Sequence, residues 1–243
     1  MPPRIAVRDI EFFERPVRFV RPFRFGAVVV NAASQVFVRV EIEIEGQGKG
    51  KSTSVGASAE MMVPKWFDKR PQLSTEQTVA ELMRSLTMAR ELYLAQSGFE
   101  TAFARHARCL AAQVEACAKE DIPPLAAAFG PAEIDKAILD ALLRGVGVNF
   151  FDGMNGNIAG IDARLSPDLR DEDIAQFLAR CQRLGRVALR HTVGLDDRIE
   201  GAGGVADKLE NSDARYFKLK LNGDPQADAA RLTRIGKDRK SVV

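Results

Sequence analysis

The stretch VFVRVEIEIE, residues 36–45, places Val36, Val38, Val40, Ile42 and Ile44 at alternate positions, with Arg39, Glu41, Glu43 and Glu45 between them. A period of two predicts a β-strand with one dry face and one wet face. Upstream, Ile5–Phe13 and Gly26–Asn31 (GAVVVN) are two further strand candidates. Between those two, ERPVRFVRPFRFG (14–26) contains Pro16 and Pro22, which are expected to break any ladder and leave a basic, aromatic loop. Downstream, GQGKGKSTSVGAS (46–58) has glycine at 46, 48, 50 and 56 and reads as a mobile loop.

From Ser74 the period changes to that of a helix. Ser74 with Gln77 forms a capping-box start, and TEQTVAELMRSLTMARELYLAQ runs on to a stop at Gly98. A second helix is expected over about 100–119, ahead of Pro123-Pro124, and a third from Pro131 to Gly145. Residues 1–145 therefore read as an α+β domain, an antiparallel meander followed by helices. Residues 146–170 are rich in Gly, Asn and Asp and read as a linker, which leads into an entry helix at Asp171–Leu184. The order then inverts. A strand at Arg186–Val193 is followed by a loop and short helix to Glu210 and a second strand at Tyr216–Leu221. Asn222-Gly223 turns the chain, and Asp224 and Pro225 supply the N-cap and first residue of a helix over 226–235. This is the βα rhythm of a parallel sheet or barrel.

Composition narrows the function classes. In 243 residues, 46% are hydrophobic and 28% charged, the balance of a globular protein rather than a disordered one. Thirty-five Lys and Arg against thirty-three Asp and Glu leave a net charge of +2, too little for a nucleic-acid footprint. No apolar run approaches the ~20 residues of a membrane span, and the basic start is not followed by a signal-peptide core. No nucleic acid and no membrane partner is expected. Three cysteines, Cys109, Cys117 and Cys181, are an odd and scattered set that fits buried structural thiols in a reducing cytoplasm. Gly50-Lys51-Ser52 resembles the end of a phosphate-binding loop, but Glu45 stands where that motif needs its first glycine.

The chemistry-bearing candidate is Lys218-Leu219-Lys220. On a strand both lysines share one face, while Phe217, Leu219 and Leu221 take the other. Two ammonium groups about 6–7 Å apart in a dry site would disfavour each other's charge and bring a lysine towards a usable base. Pattern alone favours two solvated lysines on an edge strand. His106, in a helical RHARCL stretch, reads as a surface or cap residue, and His191 as a core or strand-end histidine.

The arrangement as a whole resembles the mandelate racemase and muconate-lactonizing branch of the enolase superfamily. The matching stretches are PFRFG (22–26), VRVEIEIEGQGKG (38–50), AEIDKAILDALLRG (132–145), RHTVGL (190–195) and FKLKLNGD (217–224). The resemblance implies an α+β capping domain over 1–145 and a linker and entry helix over 146–185. The first two βα units of a TIM-type (β/α) barrel would follow over 186–237. It implies Lys220 as the base that removes a proton α to a carboxylate, with Lys218 as its electrostatic partner. It further implies substrate selection by two capping loops, around Phe19–Gly26 and Lys49–Ala57, with Phe23, Phe25, Lys51 and Ser52 as substrate-binding candidates. Lys49 and Lys51 depart from the acidic residue often found after the G-x-G turn, which leaves selection by that loop open. A small carboxylate substrate, Mg²⁺, a cytoplasmic setting and a homo-oligomeric parent complete the implication.

The family's metal ligands lie on later strands. A complete eight-stranded barrel takes about 250 residues, whereas the chain from Arg186 onward accommodates two strands. The expectation is thus an inactive N-terminal fragment of a racemase, epimerase, dehydratase or cycloisomerase. Residues 238–243 (DRKSVV) are what GATCGGAAGAGCGTCGTG encodes, a string that resembles a sequencing-adapter read, so the native frame is expected to be lost at about Lys237. The competing expectation is a non-catalytic binding or assembly module built on residues 1–145.

Overall fold

In the computed structural model the chain divides into two units, residues 1–19 with 32–183 and residues 20–31 with 184–243. The structure describes residues 1–25, 28–45, 50–199, 201, 204–205 and 214–237, without the side chains of Arg21, Phe23, Phe25, Arg215 and Lys237. The expected short helix before Glu210 lies largely outside the described residues, and the 238–243 tail wholly so.

A three-stranded antiparallel sheet has the order β1 (Arg4–Phe25), β2 (Val28–Glu45), β3 (Lys51–Met62), and all of it but residues 20–31 forms one layer of the first unit. The period-two reading of 36–45 holds: Val36, Val38, Val40, Ile42 and Ile44 are all buried. Across the wet face, Arg39 pairs with Asp9 and Glu11, and Arg8 with Glu43.

The structure corrects two sequence expectations. Residues 14–25 are strand, not loop. β1 lies at the sheet edge, where a proline can turn its missing N–H position away from the ladder. Residues 51–62 are also strand, paired with β2 from Ser34↔Met62 to Glu45↔Lys51. Lys51–Ala57 and Phe19–Phe25 are therefore strand segments rather than free capping loops.

The helical layer is α1 (Thr75–Ala95), α2 (Ala102–Ala118), the single turn α3 (Pro124–Ala127) and α4 (Phe129–Val146). The capping box at Ser74 is formed: its hydroxyl accepts from the Gln77 amide at 3.1 Å, and Gln77 Oε1 accepts from the Ser74 amide at 2.6 Å. Replacing Ser74 with alanine is expected to lower unfolding stability by about 1 kcal/mol, read as a fall of a few degrees in the melting midpoint. The third helix begins before Pro131, at Phe129, and closes on Gly147 rather than Gly145. Gly147 adopts φ +76°, the left-handed conformation of a helix C-terminus. α1 and α4 are joined by Ser85, whose hydroxyl donates to Ala127 O at 2.8 Å and accepts from the Gly130 amide at 2.9 Å.

α4 lies directly on β3. In this register Ser54, Gly56 and Ser58 share the face of Val36–Ile44, and across from them stand Ala137, Ala141 and Gly145. Ser54 Oγ donates to Ala141 O at 2.7 Å, Ser58 Oγ to Glu133 O at 2.8 Å, and the Ala57 amide to Asp140 Oδ2 at 2.9 Å. Small residues on both elements bring the two backbones into contact.

The stretch read as a linker carries α5 (Phe150–Asn155) and a 3-10 turn at Ala163–Leu165, before α6 (Asp171–Arg180). In the second unit, β4 (Leu189–Val193) pairs parallel with β5 (Ala214–Leu219), and α7 (Pro225–Lys237) comes next. Val193, Val205 and Ala214 form its buried cluster, with Phe217, Leu219 and Ile235 packed against them. No helix among the described residues is long and apolar enough to cross a membrane.

Candidate functional site

Parallel pairing sets His191 beside Phe217, Thr192 beside Lys218 and Val193 beside Leu219, and the Lys220 amide extends the ladder to Val193 O at 3.0 Å. Phe217 and Leu219 thus join the apolar cluster, with the His191 ring 6.4 Å from that of Phe217. Lys218, Tyr216 and Thr192 stand exposed on the opposite face, and Lys220 is half-buried. Lys218 lies on β5 and Lys220 is the residue just past its end, two positions on.

The turn after Lys220 is tightly built. Gly223 takes φ +95°, a conformation glycine adopts without strain. The buried Asp228 carboxylate accepts from the Asn222 amide at 3.1 Å and the Gly223 amide at 3.0 Å. Asp224 Oδ1 accepts from the amides of Gln226 and Ala227, both at 3.0 Å, which is the predicted N-cap of α7. Arg231, further along the helix, donates to Leu195 O at 3.0 Å and to Gly194 O. The C-terminal ends of β4 and β5 are therefore tied together through α7. Arg24 pairs with both oxygens of Asp196 at 3.0 Å. An open groove of about 690 Å³ lies here, lined by Arg24, Asp196, Asn222, Asp228 and Arg231 among others; neither lysine lines it.

Lys51 and Ser52 belong to the first unit. Lys51 Nζ lies 3.1 Å from Glu43 Oε1 and 4.5 Å from the Phe99 ring centroid, and Arg8 shares both partners. Hydrogen bonds from Arg8 and then Lys51 hold the Glu43 carboxyl below the usual carboxylate range. Ser52 is exposed and pairs with Ile44. The side chains of Phe23 and Phe25 lie outside the described residues.

Sequence reasoning misplaced two groups. His106 is not a surface or cap residue: its Nδ1 sits 3.2 Å from Tyr93 Oη and 3.7 Å from Asp135 Oδ1 between helices. Cys181 is exposed, whereas Cys109 and Cys117 are buried as expected. Burial pushes the Cys109 thiol up to about 11, which leaves it inert at neutral pH.

Among solved structures, this chain is similar to the crystal structure of a mandelate racemase/muconate lactonizing enzyme-like protein from Rubrobacter xylanophilus. The TM-score is 0.52 at 14% sequence identity, covering 97% of this chain and 50% of that one. The likeness is one of fold. The chain spans half the length of that protein. No protein-family model and no curated protein matches it.

Proposed function

We propose that this chain is part of an enzyme of the mandelate racemase/muconate-lactonizing type: a racemase, epimerase, dehydratase or cycloisomerase removing a proton α to a carboxylate. The observation that carries this reading is Lys218 exposed on a strand paired parallel to its predecessor, with Lys220 two residues on and its amide bonded to Val193 O at 3.0 Å. Support comes from an α+β fold similar to part of such a protein. Lys220 takes the proton. Lys218, one strand repeat earlier, holds the substrate carboxylate and the negative charge that develops beside it. Phe23, Phe25 and Ser52 contribute to substrate selection, and Lys51 does so only by leaving Glu43. The substrate is a small carboxylate, and the parent is a cytoplasmic homo-oligomer.

A bound Mg²⁺ would supply the stabilisation an enediolate needs. Among the described residues no group of three or more His, Cys, Asp or Glu side chains could hold a metal. The described residues do not fit the ion, and neither lysine role is routed through it. Residues 1–243 alone are accordingly expected to be inactive. Incubated in D₂O with Mg²⁺ and a panel of acid sugars, amino acids and dipeptides, they should incorporate no deuterium at the α-carbon by NMR. Incorporation above the protein-free rate would overturn the claim of inactivity.

The first unit has a continuous buried core of its own, which favours a second reading, a non-catalytic binding or assembly module. Cooperative unfolding of the full chain with protease resistance across 186–237 would support that module over a fragment.

A further inference from the structure

The connection from β3 to α1, residues 63–74, is held by one guanidinium that gathers three carboxylates. Arg70 Nε meets Asp68 Oδ2 at 2.7 Å, and its Nη2 meets Glu81 Oε1 on α1 at 2.8 Å. Its Nη1 meets Asp121 in the turn after α2. The Arg70 amide also donates to Asp68 Oδ1 at 2.8 Å. Asp68 is 4% exposed. Glu81 Oε2 is buried and has no hydrogen-bond partner, and the Glu81 carboxyl shares the Arg70 guanidinium with that of Asp68. Lys65 does not neutralise the pair directly: its ammonium donates to Arg70 O at 2.7 Å and to Leu73 O.

A buried carboxylate oxygen with no donor is costly. The same oxygen carrying a proton becomes a donor, and the Asp68 carboxylate held by the same guanidinium can accept from it. We propose that Asp68 and Glu81 share one proton, held between Glu81 Oε2 and the Asp68 carboxylate, and that this proton pins the 63–74 connection onto α1. The two groups are driven apart in the sense this requires. Burial, and then the charge of Asp68, raises Glu81 above its ordinary 4.5. Burial also pushes Asp68 up, but hydrogen bonds from the Arg70 amide and guanidinium hold it below its ordinary 3.8.

The sign is set by linkage. Glu81, raised on folding, adds stability that is fully present below 4.5 and is lost as pH rises through its folded value. Asp68, depressed on folding, adds stability present above 3.8 and lost as pH falls through its folded value. The pin is therefore set in mild acid and released as pH rises through the folded value of Glu81, a conformational device independent of the proposed reaction.

Trp66 is the single tryptophan of the chain and lies within the connection, 42% exposed. Two readouts over about pH 4–8 test the proposal on the full chain. The ¹³C shift of the Glu81 carboxyl should titrate above 4.5. Trp66 emission should change with the same midpoint, keep that change in Asp121→Asn and lose it in Glu81→Gln, where a neutral amide replaces the protonated acid. A Glu81 carboxyl titrating at or below its ordinary value overturns the proposal, as does a Trp66 transition that survives Glu81→Gln. The carboxyl measurement on the unaltered protein decides the matter even if a variant does not fold.

Discussion

Gly56→Ala is expected to unfold the first unit. A Cβ at Gly56 would lie 2.1 Å from the Ala141 amide nitrogen and 2.4 Å from the Ala137 carbonyl oxygen. Both are α4 backbone atoms, so no side-chain rotation relieves the overlap. Moving α4 away would break its hydrogen bonds to Ser54, Ala57 and Ser58. It would also open the seam over the core residues Val40 and Ile42. Ordinary overpacking costs about 1–3 kcal/mol; a backbone collision with no escape should exceed that, at about 4 kcal/mol or more. The gain of up to about 1 kcal/mol from stiffening the unfolded chain is too small to offset it. Urea unfolding followed by far-ultraviolet circular dichroism should show the midpoint falling by more than about 1 M. A variant within about 1 kcal/mol of the parent would mean that α4 can leave β3 at little cost.

Arg105→Ala should cost nearly as much, for a different reason. Arg105 has no exposed surface. Its guanidinium donates to Gln96 O and Gly98 O, both at 2.9 Å, so it terminates α1 with positive charge where the helix dipole favours it. Its Nε lies 2.9 Å from Glu100 Oε1 as an ion pair without hydrogen-bond alignment. Glu100 in turn bridges to the start of β1 through the Ile5 amide at 2.7 Å and the Ile5 carbonyl at 3.1 Å. One side chain thus joins the end of α1 and the edge strand to α2. Removing one partner of a buried pair costs about 3–5 kcal/mol. Arg105→Lys keeps the charge but not the fork, and should recover only part of the loss. Hydrogen exchange at the Ile5 and Glu100 amides should rise sharply in Arg105→Ala. Protection equal to the parent would contradict the role.

These two residues also show what could be read from the sequence. Val36–Ile44 was legible because a strand buried on one side must alternate, and Ser74–Gln77 because a capping box needs those residue types at that spacing. β3 was not legible. Its inward positions, Ser54, Gly56 and Ser58, are small because a helix backbone lies on them, and small polar residues with glycine are what a loop also contains. The prolines of β1 misled in the same way, since an edge strand tolerates what a central strand does not. Arg105 left no periodic trace: a buried charge is defined by partners at Gln96, Gly98 and Glu100 that only the fold brings together. The lysine pair was visible as spacing; β5 carries Lys218 and ends one residue before Lys220.

The role proposed for Lys220, as the base of an α-proton abstraction, is tested most directly by deuterium exchange in the protein encoded by the whole source locus. With Mg²⁺ in D₂O and the same carboxylate panel, that protein should exchange the α-proton of at least one member. Lys220→Met should reduce the rate by a factor of about 10³ or more, the scale of removing an essential base. Exchange that persists undiminished in Lys220→Met, or no exchange with any carboxylate of the panel, would contradict the assignment.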